Sequence, residues 1–183
     1  DDYDIGQAAG RIAGFAPFIT GQVCSSLTRI IVSKSRHDQL VDALSAVFSQ
    51  VKVGDPYDAT TGMGPLAMKR QRDRVEGYIE KGIAEGAVLA TGGKRPKDLP
   101  KGWFIEPTVF GKVDNNQTIA REEIFGPVLS VIPAASEAVA VDIANDSIYG
   151  LNASVFTNDV ERAYATAREL RSGTVGHNSM RSD

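Results

Sequence analysis

Val128-Leu129-Ser130-Val131-Ile132 is a run of large aliphatic residues broken only by a serine, and it predicts a β-strand. Working outward from it, Ser136 to Asn145 predicts a helix capped by Ser136. Leu151, Ala153 and Val155 then alternate with small or polar residues, as a further strand does. Asn158 and Glu161 have capping-box spacing before a helix that runs to Leu170 and is ended by Gly173, after which Thr174-Val175-Gly176 resumes extended structure. Upstream, Ile30-Ile31-Val32, Ala87-Val88-Leu89-Ala90 and Pro107-Thr108-Val109-Phe110 also predict strands. Three helices lie among them. Ile5, Ala8, Ala9, Ile12, Phe15, Ala16 and Ile19 share one apolar face up to the break at Pro17. Leu40, Val41, Leu44, Val47, Phe48 and Val51 share another, with Ser35 and Asp38 as its capping box and Gly54 with Pro56 closing it. Val75, Tyr78, Ile79 and Ile83 form the third inward face, terminated by Gly86. Alternating strands and helices give the fold class α/β: a mixed or mostly parallel sheet covered by helices.

The composition suits one domain of 183 residues, with 42% hydrophobic and 23% charged residues. Lys and Arg total 20 against 23 Asp and Glu, a net charge of −3, which gives no electrostatic reason for nucleic acid or an anionic membrane as a partner. No apolar run approaches the roughly 18–20 residues that span a bilayer. One cysteine excludes an intrachain disulfide framework, and two histidines, His37 and His177, have no metal-ligand spacing. The expected location is the cytoplasm. The chain lacks an initiator Met, opens on Asp1-Asp2-Tyr3-Asp4 and closes on Asn178 to Asp183 without a final element. It reads as an excised domain, residues 1–183, of something longer.

Two glycine motifs imitate nucleotide loops. Gly62-Met63-Gly64-Pro65-Leu66-Ala67 spells the G-x-G-x-x-A fingerprint, but the residues before it, Asp55 to Thr61, are loop-like where that site requires a strand. Gly92-Gly93-Lys94 lacks the other residues of a P-loop and reads as a turn. Arg70, Arg72 and Arg74 read as a solvated helix face, and His37 as solvated in the first turn of its helix.

Cys24 stands out by its setting, Thr20-Gly21-Gln22-Val23-Cys24-Ser25-Ser26-Leu27-Thr28-Arg29. The glycine allows close approach of backbone to a ligand, and the residues after it can begin a short helix whose positive end would favour a thiolate. A backbone N–H at that point can receive an oxyanion. In Arg121-Glu122-Glu123-Ile124-Phe125-Gly126-Pro127, a carboxylate can accept hydrogen bonds from both hydroxyls of a ribose, and a phenyl ring can lie beside a planar cofactor ring.

Together these segments resemble the NAD(P)-dependent aldehyde dehydrogenases. Gly21-Gln22-Val23-Cys24 with Arg29 looks like that family's active-site cysteine segment, and Glu122-Glu123-Ile124-Phe125-Gly126-Pro127 like its cofactor-facing motif. The likeness continues in order through Met63-Gly64-Pro65-Leu66, Glu76-Gly77-Tyr78-Ile79, Glu106-Pro107-Thr108-Val109, Asn145-Asp146-Ser147, Tyr149-Gly150-Leu151 and Gly173-Thr174-Val175. The resemblance implies that Cys24 is the nucleophile that turns an aldehyde into a thiohemiacetal and then a thioester, which water hydrolyses to the acid. It implies that the Cys24 N–H forms half of an oxyanion hole. Glu123 would hold the ribose on the nicotinamide side of NAD or NADP, with Phe125 beside it, and Gln71 and Arg74 would reach the same ribose. Arg74 stands where the family often has lysine, and Thr20 where Asn or Ser is common.

By the same resemblance the general-base glutamate, the second oxyanion donor, the cofactor-binding domain and a C-terminal oligomerisation strand lie outside this chain, so it corresponds to the catalytic domain alone. The full enzyme would be a homo-oligomer acting on a small aldehyde. Two other readings stay open: an acyl-phosphate or acyl-CoA reductase of the same superfamily, and a non-catalytic remnant used in oligomer assembly.

Overall fold

The computed structural model describes residues 2–180. Strands β1 (Arg29–Ser33), β2 (Val88–Thr91), β3 (Thr108–Gly111) and β4 (Val128–Ala134) form one sheet in the spatial order β1-β4-β3-β2. The β1–β4 and β4–β3 pairs are parallel and β2 runs antiparallel to β3, so the sheet is mixed. Strands β5 (Asn152–Val155) and β6 (Thr174–His177) pair in parallel as a separate two-stranded sheet. The helices are α1 (Ile5–Phe15), α2 (His37–Phe48), α3 (Lys69–Ala84), α4 (Thr118–Arg121), α5 (Glu137–Asn145) and α6 (Val160–Glu169).

Period-two alternation sorts the strand residues between two cores. Leu129, Val131 and Val109 face α1 and α2, among Ile5, Ala9, Ile12, Leu40, Leu44 and Phe48. Val128, Ile132 and Phe110 face the other way, against Val75, Tyr78 and Ile79 of α3 and Ile119 of α4. A sheet covered on both faces requires continuous apolar strands, which is why β3 and β4 are buried at almost every position. Ser130, the one polar residue in the central run, is buried and donates its hydroxyl to Ile119 O at 3.1 Å.

Several local expectations are corrected. Ser35 does not cap α2; its hydroxyl pairs with that of Ser33, and the helix ends at Phe48, leaving Val51 beyond it. The cap of α6 is Asp159, which accepts from Arg162 N, and not Asn158, whose side chain and N–H bind Asp2. In α3 the inward seam runs Arg72, Val75, Tyr78, Ile79 and Gly82, and a Cβ on Gly82 would already touch Ile119 and Phe110. Ile83, one residue on, is turned about 100° away and half exposed. Ser136 caps α5 as expected, accepting from Val139 N.

The fold positions both motif loops by one feature. Cys24 lies five residues before Arg29, and Glu123 five before Val128. Because β1 and β4 are parallel neighbours, the two loops enter the sheet side by side at its amino end. They touch at Gly21 and Gly126: a Cβ placed on Gly21 would lie 2.3 Å from Gly126 C and O and 2.6 Å from Pro127 N. Gly21 also has φ +69, so glycine is required on two counts.

This predicts opposite effects for two glycine substitutions. Gly21→Ala should destabilise the chain by about 1–3 kcal/mol or more through overpacking. Gly10→Ala, on the open face of α1 where an added Cβ meets nothing within 4 Å, should stabilise it by up to about 1 kcal/mol. Urea midpoints of the two variants against the parent measure both.

Candidate active site

The cysteine loop starts from an unusual backbone turn. Ile19, Thr20 and Gly21 follow one another at φ 49°, 57° and 69°, all left-handed, and the first two are β-branched. Such residues avoid this region, at a cost on the order of 1–3 kcal/mol each, and persist there only when surroundings hold them. Thr20 is buried, and its hydroxyl donates to Gly64 O at 3.1 Å and Pro65 O at 3.3 Å. Gln22 donates Nε2 to Ile19 O and accepts Ala67 N–H at 3.0 Å. Beyond it Cys24 is exposed. The short helix expected after the cysteine does not form: a single turn closed by Ser26 N to Val23 O is present instead, so no helix dipole acts on the thiol. The Cys24 N–H makes no hydrogen bond with a described residue. Asn152 Nδ2 holds the loop from the other side, donating to Ser25 O at 2.9 Å and to Met180 O at 2.8 Å.

The glutamate loop is held by its backbone. Gln71 Nε2 donates to Phe125 O at 2.7 Å and Ile124 O at 3.1 Å. Arg74 donates to Glu123 O and, more weakly at 3.4 Å, to Ile124 O. Arg74 also lies over the Tyr78 ring, 4.9 Å from its centroid, and donates to the Tyr78 hydroxyl, which in turn donates to Glu122 at 2.7 Å. Burial and this bond to a carboxylate push the Tyr78 hydroxyl above its ordinary pKa. The Glu123 N–H donates to the Tyr149 hydroxyl at 3.1 Å. With the backbone fixed on three sides, the Glu123 carboxylate is exposed and has no hydrogen-bonding or ion-pair partner among the described residues. Phe125 sits at φ 58° with its ring 37% exposed. A free carboxylate beside an exposed ring on a rigid backbone fits the sugar and ring of a nucleotide cofactor. The Gln71 and Arg74 side chains, expected at the ribose, are placed on the carbonyls of residues 123–125.

Arg29, at the start of β1, binds the end of α5. Its guanidinium donates to Ile143 O at 2.7 Å, to Ala144 O at 3.4 Å and to Asn115 Oδ1 at 2.5 Å, binding the last carbonyls of the helix. Arg121, just before Glu122, donates to Asp146 O and Oδ2 at 2.7 Å, and Arg171 donates to Asn145 O at 2.8 Å. Three cations thus meet the negative end of α5, an arrangement favourable by about 0.3–2 kcal/mol each. Burial, then the charge of Arg121, lowers the pKa of Arg29, although arginine stays protonated.

Other expectations are revised. His37 is buried, with Nδ1 2.7 Å from Asp38 Oδ1 and Nε2 accepting Lys112 N–H at 2.9 Å, so it is a neutral structural ring carrying its proton on Nδ1. Arg72 is buried rather than solvated: it stacks 5.1 Å from the Trp103 centroid and donates to Gly102 O. Residues 62–67 form a loop, as expected, and Gly92 and Gly93, expected in a turn, lie in irregular backbone just after β2 with φ of 74° and 78°. No group of three or more metal-ligating side chains occurs among the described residues, and no described helix is long and apolar enough to cross a membrane. The roles of Thr20, Tyr149 and Asn152 in holding the loops escaped sequence reasoning, because each acts on backbone far away in the chain. The Tyr149-Gly150-Leu151 match pointed near Tyr149 and Asn152, and the departure at Thr20 from the usual Asn or Ser marked that position without its role.

Comparison with known proteins agrees with this geometry. The model of the aldehyde dehydrogenase family matches residues 1–183. The betaine aldehyde dehydrogenase of Brucella anthropi is 47% identical over 176 residues, covering 95% of this chain and 36% of that protein. A crystal structure of a Mycobacterium tuberculosis aldehyde dehydrogenase complexed with NAD+ superposes with a TM-score of 0.96 at 47% identity, covering 100% of this chain and 38% of that one. A point mutant of the Staphylococcus aureus betaine aldehyde dehydrogenase, in complex with NAD+ and with a BME-modified cysteine, superposes at 0.95 with 41% identity, covering 100% and 38%. The chain therefore spans little more than a third of the length of the relatives it matches. Over that span sequence and fold agree, and the chain belongs to the aldehyde dehydrogenase family.

Proposed function

We propose that this chain supplies the nucleophile and the nicotinamide-side cofactor contact of an NAD-dependent dehydrogenase that oxidises a small aldehyde to a carboxylic acid. One observation carries the reading: Gly21 and Gly126 touch, so the loops bearing exposed Cys24 and Glu123, whose carboxylate has no partner among the described residues, lie together at one end of the sheet. The NAD+ complexes of the two structural relatives support the choice of cofactor, and the modified cysteine of the S. aureus protein supports a reachable thiol.

In this mechanism the Cys24 thiolate adds to the aldehyde carbon, forming a C–S bond while the carbonyl oxygen takes up the negative charge. The N–H of Cys24, without a partner among the described residues, is available to that oxygen. NAD, when bound, supplies the oxidising power by accepting hydride from the same carbon. Glu123 would accept the ribose hydroxyls and Phe125 flank the adjoining ring, while Gln71 and Arg74 keep their backbone in place. The thioester left on Cys24 is hydrolysed by water, which releases the acid and returns the thiolate. The glutamate that activates this water, the second oxyanion donor and the adenosine site come from sequence outside residues 1–183, as does the surface for homo-oligomer assembly. A free carboxylate at Glu123 and a reachable Cys24 favour this over an assembly remnant.

Iodoacetamide at neutral pH should label Cys24 in the native protein, and Cys24→Ser in the enzyme carrying this chain should abolish NAD reduction with the fold retained. Labelling only in denaturant would return Cys24 to a structural role. Glu123→Gln should weaken NAD binding or turnover by roughly 10–100-fold, the value of a charged hydrogen bond of about 1.5–3 kcal/mol, and leave the pH–rate profile unchanged in shape. Loss of a limb of that profile would make Glu123 an acid or base instead. The 183 residues alone should give no sustained reduced-cofactor absorbance, because positioning worth about 7–11 kcal/mol needs the absent cofactor surface.

A further inference from the structure

We infer that Thr20 is a positioning residue for Cys24, a role that rests on Cys24 being the nucleophile. The side chain touches no reacting group. It is 3% exposed and spends its hydroxyl on two carbonyls, Gly64 O at 3.1 Å and Pro65 O at 3.3 Å, in a loop 44 and 45 residues away. Its own φ is 57°, between Ile19 at 49° and Gly21 at 69°. Two consecutive β-branched residues do not hold a left-handed turn unaided, so an outside constraint is required. Ile19 cannot provide it, being 57% exposed. The Thr20 hydroxyl and the Gln22 side chain, which accepts Ala67 N–H, are the two ties that pin the turn to residues 64–67.

The direction of the backbone into Cys24 follows from this turn. Gly21 is pressed against Gly126 and Pro127 and cannot move toward them, so relaxation at Thr20 that turns Gly21 away from them is passed forward through Gln22 and Val23 to the cysteine. The loop that receives the hydroxyl is itself anchored, with Val53 bridged to Met63 and Gly62 N bonded to Lys52 O at 2.9 Å. Gly62-Met63-Gly64-Pro65, whose spelling imitates a nucleotide fingerprint, thereby acts as the rigid acceptor of the cysteine turn.

Three variants in the enzyme carrying this chain separate tether from strain. Thr20→Val keeps shape and loses the hydroxyl; Thr20→Ser keeps the hydroxyl; Thr20→Gly loses it while removing the left-handed penalty. Thr20→Val is expected to lower kcat by about 10–100-fold, the scale of a misplacement near 1 Å, and to lower the rate of Cys24 alkylation as well, with KM for NAD little changed. Thr20→Ser should restore both rates. Where Thr20→Val does not fold, Thr20→Gly should fold and still show the two losses. Parent-like alkylation and kcat in folded Thr20→Val or Thr20→Gly, or equal impairment of Thr20→Ser, would overturn the role. Activity surviving in Cys24→Ala would instead remove the nucleophile assignment, and the alkylation rates would still report on whether Thr20 sets the loop.

Discussion

The parallel pairing of β1 with β4, in the register Arg29 to Ser130 through Ser33 to Ala134, is the constraint on which the rest depends. Parallel neighbours share an amino end, so the chain segments that lead into them must arrive together although they are about 100 residues apart in sequence. Open α/β sheets usually bind ligands beyond the carboxyl ends of their strands. In this protein the two distinctive loops lie at the amino end, and the steric demand at Gly21 and Gly126 shows that their approach is as close as backbone allows.

Loops without regular structure leave backbone N–H and C=O groups unpaired, and burying these is costly unless side chains replace the missing partners. That explains why several polar side chains around the site donate to carbonyls distant in sequence. Gln71 and Arg74 serve residues 123–125, Asn152 serves Ser25 and Met180, and Thr20 serves Gly64 and Pro65. Each fixes a path and leaves the neighbouring functional group free. Cys24 and Glu123 are exposed because others carry the structural work.

The end of α5 ties this arrangement together electrostatically. Arg29 comes from the strand after the cysteine loop, Arg121 from the residue before the glutamate pair and Arg171 from the approach to β6, and all three meet the carbonyls or carboxylate of residues 143–146. Arg29 and Arg121 therefore act on the same helix terminus from the elements that flank the two motif loops. The exposed pairs elsewhere, such as Arg95 with Glu76 and Arg162 with Glu137, join neighbouring segments across solvent and contribute little by comparison.

The sequence by itself determined the α/β class, the strands and most helices, because apolar period and end signals such as Ser136 and Gly86 are local. It also marked Cys24 and the Glu123–Phe125 segment, since their residue types and order are distinctive. It could not determine which strands pair, and hence that β5 and β6 leave the main sheet, because pairing is a contest among distant segments. Nor could it foresee the left-handed path through Ile19 and Thr20: intrinsic preference opposes that conformation, and contacts of the Thr20 hydroxyl and the Gln22 side chain with residues 64–67 hold it. The burial of His37 and Arg72 was hidden for the same reason. A polar side chain reads as solvated until a tertiary partner, the Lys112 N–H or the Trp103 ring, takes the place of water.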